Sequence, residues 1–237
     1  MKVKHALILF SISLLTLLLV QCSPKKLAPA DGIVTFKLGE SNLVREGKTL
    51  PVELQTEIRA GDKIITAEKG VVIIVFRNNS AKIEIQPNTE YTLDKFDDQE
   101  RLMTMTKGNA WLWSEKLQKG SKLQMRTPNT VAGVRGTKFF TFNMGEITGT
   151  CHCEGDVEFS NKSGNYSGVH HKHYMVFVKE NKTVALTDKE LVAMGFPIRE
   201  EHQHSLLDDS PLGPHKEDMP PELMEKLMAH LTKEFDK

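Results

Sequence analysis

A mainly β fold is predicted for this chain: a compact sandwich, a barrel or a short β-solenoid, finished by a short helix and a C-terminal amphipathic helix. Three observations predict it. Short apolar or alternating runs closed by Gly, Asn or Pro recur from Asp31 to Val178, at the roughly ten-residue spacing of β-sandwich strands. No stretch among them keeps a helical period for more than two turns. Past Val184 the composition turns to caps, prolines and an amphipathic stripe.

The amino terminus comes first. Lys2, Lys4 and His5 form a charged head, and the run Ala6 to Val20 is apolar or small up to Gln21 and Cys22. Its length suits the apolar region of a signal peptide and is short for a membrane-spanning helix. Leu19-Val20-Gln21-Cys22 resembles the lipobox of bacterial lipoproteins, although Gln21 replaces the small residue usual before the cysteine. The resemblance implies that residues 1–21 are a lipoprotein signal peptide and Cys22 the lipidated first residue of the mature chain. Residues 22–30, rich in Pro, Lys and Ala, then form a flexible tether. Each methylene of a palmitate-type chain contributes about 0.8 kcal/mol to membrane attachment, so two or three chains anchor stably. Ser23 is not acidic, which favours the outer membrane, facing the periplasm or the surface, over the inner one.

Strands follow in order: Ile33-Val34-Thr35-Phe36, Leu43-Val44, Lys63 to Thr66, Val71 to Phe76, Lys82 to Ile85 and Glu90 to Leu93. Leu102 to Thr106 and Ala110 to Trp113 continue the pattern around Gly108. Trp111 and Trp113 share a strand face, where core packing outweighs a carbohydrate platform. The densest run is Thr127 to Phe142, in which β-branched and aromatic residues alternate with Pro128, Gly133 and Gly136. Arg135 sits between the two glycines, so Thr127, Pro128, Gly133, Arg135, Gly136 and Thr137 are expected to shape a corner.

The order of these features resembles the FecR domain, an extracytoplasmic bacterial β domain. The matching pieces are Gly61-Asp62, Val71 to Phe76, Gln86-Pro87-Asn88-Thr89, Lys107-Gly108, the run Arg126 to Phe139, and Glu154-Gly155-Asp156-Val157. The resemblance extends over residues 31–185 and implies a sensing or protein-interaction module. Family members that regulate iron-uptake sigma factors resemble one another in a cytoplasmic segment and a transmembrane helix ahead of this domain. Here five residues precede the apolar run, so direct contact with a cytoplasmic sigma factor is not expected.

Residues 186–219 read as a short helix, capped by Thr187 or Asp188 and ended by Gly195, followed by an acidic linker containing His202, His204 and His215. Residues 220–237 form the amphipathic helix: Pro220 and Pro221 open it, and Leu223, Met224, Leu227, Met228, Leu231 and Phe235 fall on one face. That stripe is expected to dock on the β domain, with a partner-binding helix as the sharper alternative.

One constellation suggests a ligand. On a strand, Cys151 and Cys153 share a face and His152 takes the other. His171 and His173 likewise share a face downstream, and convergence of the two pairs would suit zinc, iron or haem. Against this stands plain core packing of two buried thiols. Eight of the nine histidines lie after residue 151, which keeps the cluster in contention.

Other classes are set aside. Basic and acidic residues balance at 31 each, which argues against nucleic acid. The segment Gly133 to Lys138 has the wrong spacing for a phosphate loop, and neither a Gly-x-Ser-x-Gly elbow nor a His-Glu-x-x-His motif occurs. The expectation is therefore a lipid-anchored, non-catalytic envelope protein with a protein partner, acting in signalling or envelope assembly. The alternative is a metal- or haem-binding lipoprotein that uses Cys151, Cys153, His171 and His173.

Overall fold

The computed structural model describes residues 29–134, 136–171, 174–196, 204–206 and 220–237. The expected signal segment, Cys22, Arg135, His173, His202 and His215 lie outside the described residues. In chain order the strands are β1 (Gly32–Leu38), β2 (Ser41–Arg45), β3 (Lys48–Pro51), β4 (Glu57–Ile58), β5 (Lys63–Thr66) and β6 (Val71–Phe76). Next come β7 (Ala81–Ile85), β8 (Glu90–Phe96), β9 (Glu100–Lys107), β10 (Asn109–Ser114), β11 (Lys122–Arg126) and β12 (Thr130–Val134). The last six are β13 (Lys138–Met144), β14 (Ile147–Glu154), β15 (Val157–Asn161), β16 (Ser167–His170), β17 (Tyr174–Lys179) and β18 (Lys182–Leu186).

Among the described residues they form two nine-stranded sheets. One runs β18-β17-β14-β13-β10-β7-β6-β1-β4, and its mate runs β16-β15-β12-β11-β9-β8-β5-β2-β3. Apart from a swap at the first edge, strand number rises steadily across both sheets as the chain crosses between them one or two strands at a time. The result joins two of the three expected forms, a sandwich laid down with solenoid-like progression. It is not a closed barrel.

Alternation places the core. Val34, Ile74, Ile83, Leu112 and Val176 of the first sheet meet Leu43, Ile64, Tyr91, Met105 and Phe159 of the second, all essentially inaccessible. At about 25 cal/mol per Å² of apolar surface, this interior is the main stabilising term. Turn chemistry fixes the register: Glu46 and Gly47, both with positive φ, close the two-residue hairpin between Arg45 and Lys48.

A charge pair ties one end of the sandwich together. The Arg45 guanidinium donates to both oxygens of buried Asp62, at 2.7 and 2.6 Å, and to the Glu57 carbonyl at 2.6 Å. The Arg59 amide also donates to Asp62, at 2.7 Å. This fork holds the Arg45 pKa above its ordinary value. Asp62→Ala would leave the cation and an amide without their acceptor, and the expected loss is about 3 kcal/mol, toward the lower end for a buried pair because Arg45 keeps some solvent contact. Urea unfolding checks it; a loss under about 0.5 kcal/mol, the level of a solvated surface pair, would contradict the account.

Two helices close the chain. Helix α1 (Asp188–Ala193) opens with a capping box, in which the Glu190 amide donates to the Thr187 side chain and the Glu190 carboxylate accepts from Thr187. Helix α2 (Pro221–Phe235) buries Leu227, Leu231 and Phe235. With Leu191 of α1 they cover Ile147, Met175, Phe177 and Leu186 on the outer face of the first sheet, forming a second apolar core. The docking alternative thus describes the amphipathic helix.

Candidate functional site

Strand β14 is buried along nearly its whole length because both its faces are covered. Cross-strand partners on the outer face line up as Glu84, Trp111, Phe140, Cys151, Met175 and Leu186. Residues paired in register share a face, so this row runs from a carboxylate to an apolar floor with a thiol inside it. Cys153, two residues on, faces the same way beside the register shift between Lys138 and Phe139. The neighbouring row contains Gly149, where an added Cβ would sit 2.4 Å from the Phe142 ring; the glycine lets that ring lie across the strand under the helical layer.

Residues His204 to Leu206 lie on this face as a strap. The Ser205 hydroxyl donates to one oxygen of Glu84, and the Leu206 amide donates to the other at 2.7 Å. Gln86 Nε2 donates to the His204 carbonyl at 2.6 Å and to Glu84 at 3.1 Å. The His204 ring stacks on Phe140, with centroids 4.4 Å apart and planes within 8°. Anchored in this way, a ring nitrogen of His204 and the sulfurs of Cys151 and Cys153 all lie within 4.8 Å of one another. Burial, reinforced by Cys151, raises the Cys153 thiol well above its ordinary pKa, while the Trp111 indole and the Phe140 amide pull the other way.

His152 occupies the inner face, fully buried beside Phe159 and His170. Neither ring nitrogen has a hydrogen-bond partner among the described residues. Desolvation lowers its pKa to about 3, so the ring is neutral. His170 stacks on Tyr166 and shares a 2.9 Å hydrogen bond with its hydroxyl.

The expected convergence of four ligands takes a different form. His171 is exposed and pairs with Asp156, Nδ1 to Oδ1, at 2.6 Å. Strands β14 and β17 do pair, but the register sets Tyr174 opposite His152, so His171 precedes the paired segment and turns away from the thiols. His204, which the sequence offered only as a loose linker histidine, takes the place beside them. Glu84, Gln86 and Ser205 were not anticipated. In Ala81-Lys82-Ile83-Glu84-Ile85 the charged residues alternate as on any solvated strand face, and nothing local shows that a segment some 120 residues later covers Glu84.

The corner also resolves into parts. Thr127 and Thr130 close the hairpin between β11 and β12 through a 2.7 Å hydroxyl contact and a 3.0 Å hydrogen bond from the Thr130 amide to the Thr127 hydroxyl. Gly133 lies inside β12, where an added Cβ would meet Glu158 at an ordinary 3.6 Å, so no bend demands a glycine there. Gly136 does need one: its φ is +71°, and an added Cβ would lie 3.1 Å from the Lys116 Cα. Thr137 is buried, its carbonyl accepting from the Ser114 amide at 3.0 Å. Pro128 and Asn129 border an open cleft of about 620 Å³, shared with Thr106, Asn143, Lys162 and Glu180. The Asn129 side chain is already engaged there, accepting from Thr148 and donating to the Val178 carbonyl.

The comparisons with known proteins fall on this frame. Residues 62–158, from the buried Asp62 to the second residue of β15, match the model of the family described as FecR protein. Over that span the chain is similar to a FecR domain. The remaining strands extend that domain into the same two sheets on either side, and the Cys151–Cys153 pair falls inside the FecR match. Two crystal structures of a candidate anti-sigma factor from Parabacteroides distasonis are similar over 56% of this chain, each with a TM-score of 0.47, at 16% and 15% identity. The similarity takes in 63% and 62% of those chains, a little under two thirds of their length. No curated protein matches. Among the described residues no helix is long and apolar enough to cross a membrane.

Proposed function

We propose that this chain is a lipid-anchored, non-catalytic signalling module of the bacterial cell envelope, whose FecR domain senses or binds a protein partner. The match of residues 62–158 to the FecR family carries this reading. The Ala6 to Val20 run ending at Cys22 supports the anchor, and a tether over residues 22–30 leaves the sandwich free to turn toward a partner at the membrane surface. Ser23 favours the outer membrane. Recognition would use the shaped β surface, with the Thr127–Pro128 turn before β12 and Gly136 and Thr137 after it.

The anchor has a direct test. Cells fed labelled palmitate are expected to incorporate it into the wild-type chain, which sediments with membranes; Cys22→Ser is expected to lose the label and leave the membrane fraction. A wild-type chain that takes up no label, or a serine variant that remains labelled, would overturn the lipid-anchored form of the proposal.

A further inference from the structure

We infer that Cys151, Cys153 and His204 form a binding site for one thiophilic divalent cation, zinc by charge balance, which fastens the His204–Leu206 strap to the outer face of the FecR domain. This goes beyond the signalling proposal and does not depend on the lipid anchor.

Geometry argues first. Tetrahedral zinc with bonds of about 2.3 Å to sulfur and 2.0–2.1 Å to nitrogen needs ligand atoms roughly 3.5–3.8 Å apart. The three atoms already lie within 4.8 Å of one another, and small rotations about the cysteine and histidine χ angles close the remainder without moving the strands. The nitrogen is pre-positioned by bonds that involve no metal: Glu84 and Gln86 hold the strap backbone, and Phe140 sets the plane of the ring. Partners of this kind orient a ligand and sharpen affinity.

Chemistry then selects the ion. Two sulfurs and an imidazole favour soft or borderline metals over calcium and magnesium, which take oxygen ligands. On binding, each thiol gives its proton to solvent, and two thiolates neutralise a divalent ion, so the buried centre is uncharged. A monovalent ion such as Cu(I) would leave a net negative charge among Trp111, Phe140 and Met175, which burial disfavours. Three protein ligands leave a fourth position for water or a group from a partner.

The full chain, made without a histidine tag and kept reduced, is titrated with Co²⁺ and then Zn²⁺. The expected result is one Co²⁺ per chain with a thiolate-to-cobalt charge-transfer band, displaced by one equivalent of Zn²⁺, and at least tenfold slower hydrogen exchange at the Leu206 amide when Zn²⁺ is bound. His204→Ala, which leaves the sandwich core intact, is expected to weaken Zn²⁺ binding at least about 100-fold, since even partners of metal ligands account for about 10–100-fold. Cys151→Ser with Cys153→Ser removes the band, whereas His171→Ala changes nothing. A folded wild-type chain without the charge-transfer band would overturn the site, and so would a His204→Ala variant that binds Zn²⁺ as tightly as wild type.

Discussion

Leu231→Ala is expected to weaken the seat of the C-terminal helix by about 2–5 kcal/mol, the range for deleting a buried leucine side chain. Leu231 is completely inaccessible and lies between Leu227 and Phe235 on the apolar stripe. A helix of 15 residues is marginal alone, so once unseated it melts instead of floating free. Its departure would uncover Met175, Phe177 and Phe142, a contiguous apolar patch of the kind that recruits other surfaces. Hydrogen exchange should show loss of protection through residues 221–235, with a rise in binding of an apolar dye, while the strands of the first core stay protected. Unchanged helix protection would mean that this stripe is not what holds the helix down.

His152 is expected to make the fold acid-labile. Its pKa is lowered to about 3 by burial, whereas in the unfolded chain it is near 6.5. The unfolded state therefore binds a proton that the native ring refuses. Stability from this residue is fully present well above pH 6.5 and is lost as pH falls toward 3, at up to about 1.4 kcal/mol per pH unit, or about 2 kcal/mol between pH 6.5 and 4.5. His170, also depressed by burial and by His171, adds in the same direction. His152→Leu fills a similar volume with no unmatched nitrogen, so the variant should gain about 1–3 kcal/mol at pH 7 and lose most of the acid slope. Urea unfolding at pH 7 and pH 5 measures both effects, and equal slopes in the two proteins would contradict the buried neutral ring.

Much of this architecture was legible because β structure announces itself by period and punctuation. Val71 to Phe76 reads as a central strand, and Thr187 with Glu190 reads as a helix start, since those signals are local. Gly133 misled because a glycine flanked by Arg135 and Gly136 looks like part of one bend, whereas only Gly136 carries positive φ. The site was half legible. Alternation alone puts Cys151 and Cys153 on one face, but whether that face meets solvent, a core or a strap depends on contacts across the chain. Pairing His171 with the thiols would need a register that sets the histidine against β14, where Tyr174 stands instead. Glu84 and Ser205 find one another across a separation of 121 residues, for which no local pattern exists.

The central claim is that this FecR domain signals from a lipid anchor at the envelope, and transcript profiling tests it most directly. Cells lacking the chain are compared with cells carrying the wild-type chain or Cys22→Ser at matched abundance. The account predicts a confined set of transcripts that shifts when the chain is lost, returns with the wild type and does not return with the unanchored variant. An unchanged transcript profile on loss of the chain, or full restoration by Cys22→Ser, would contradict it.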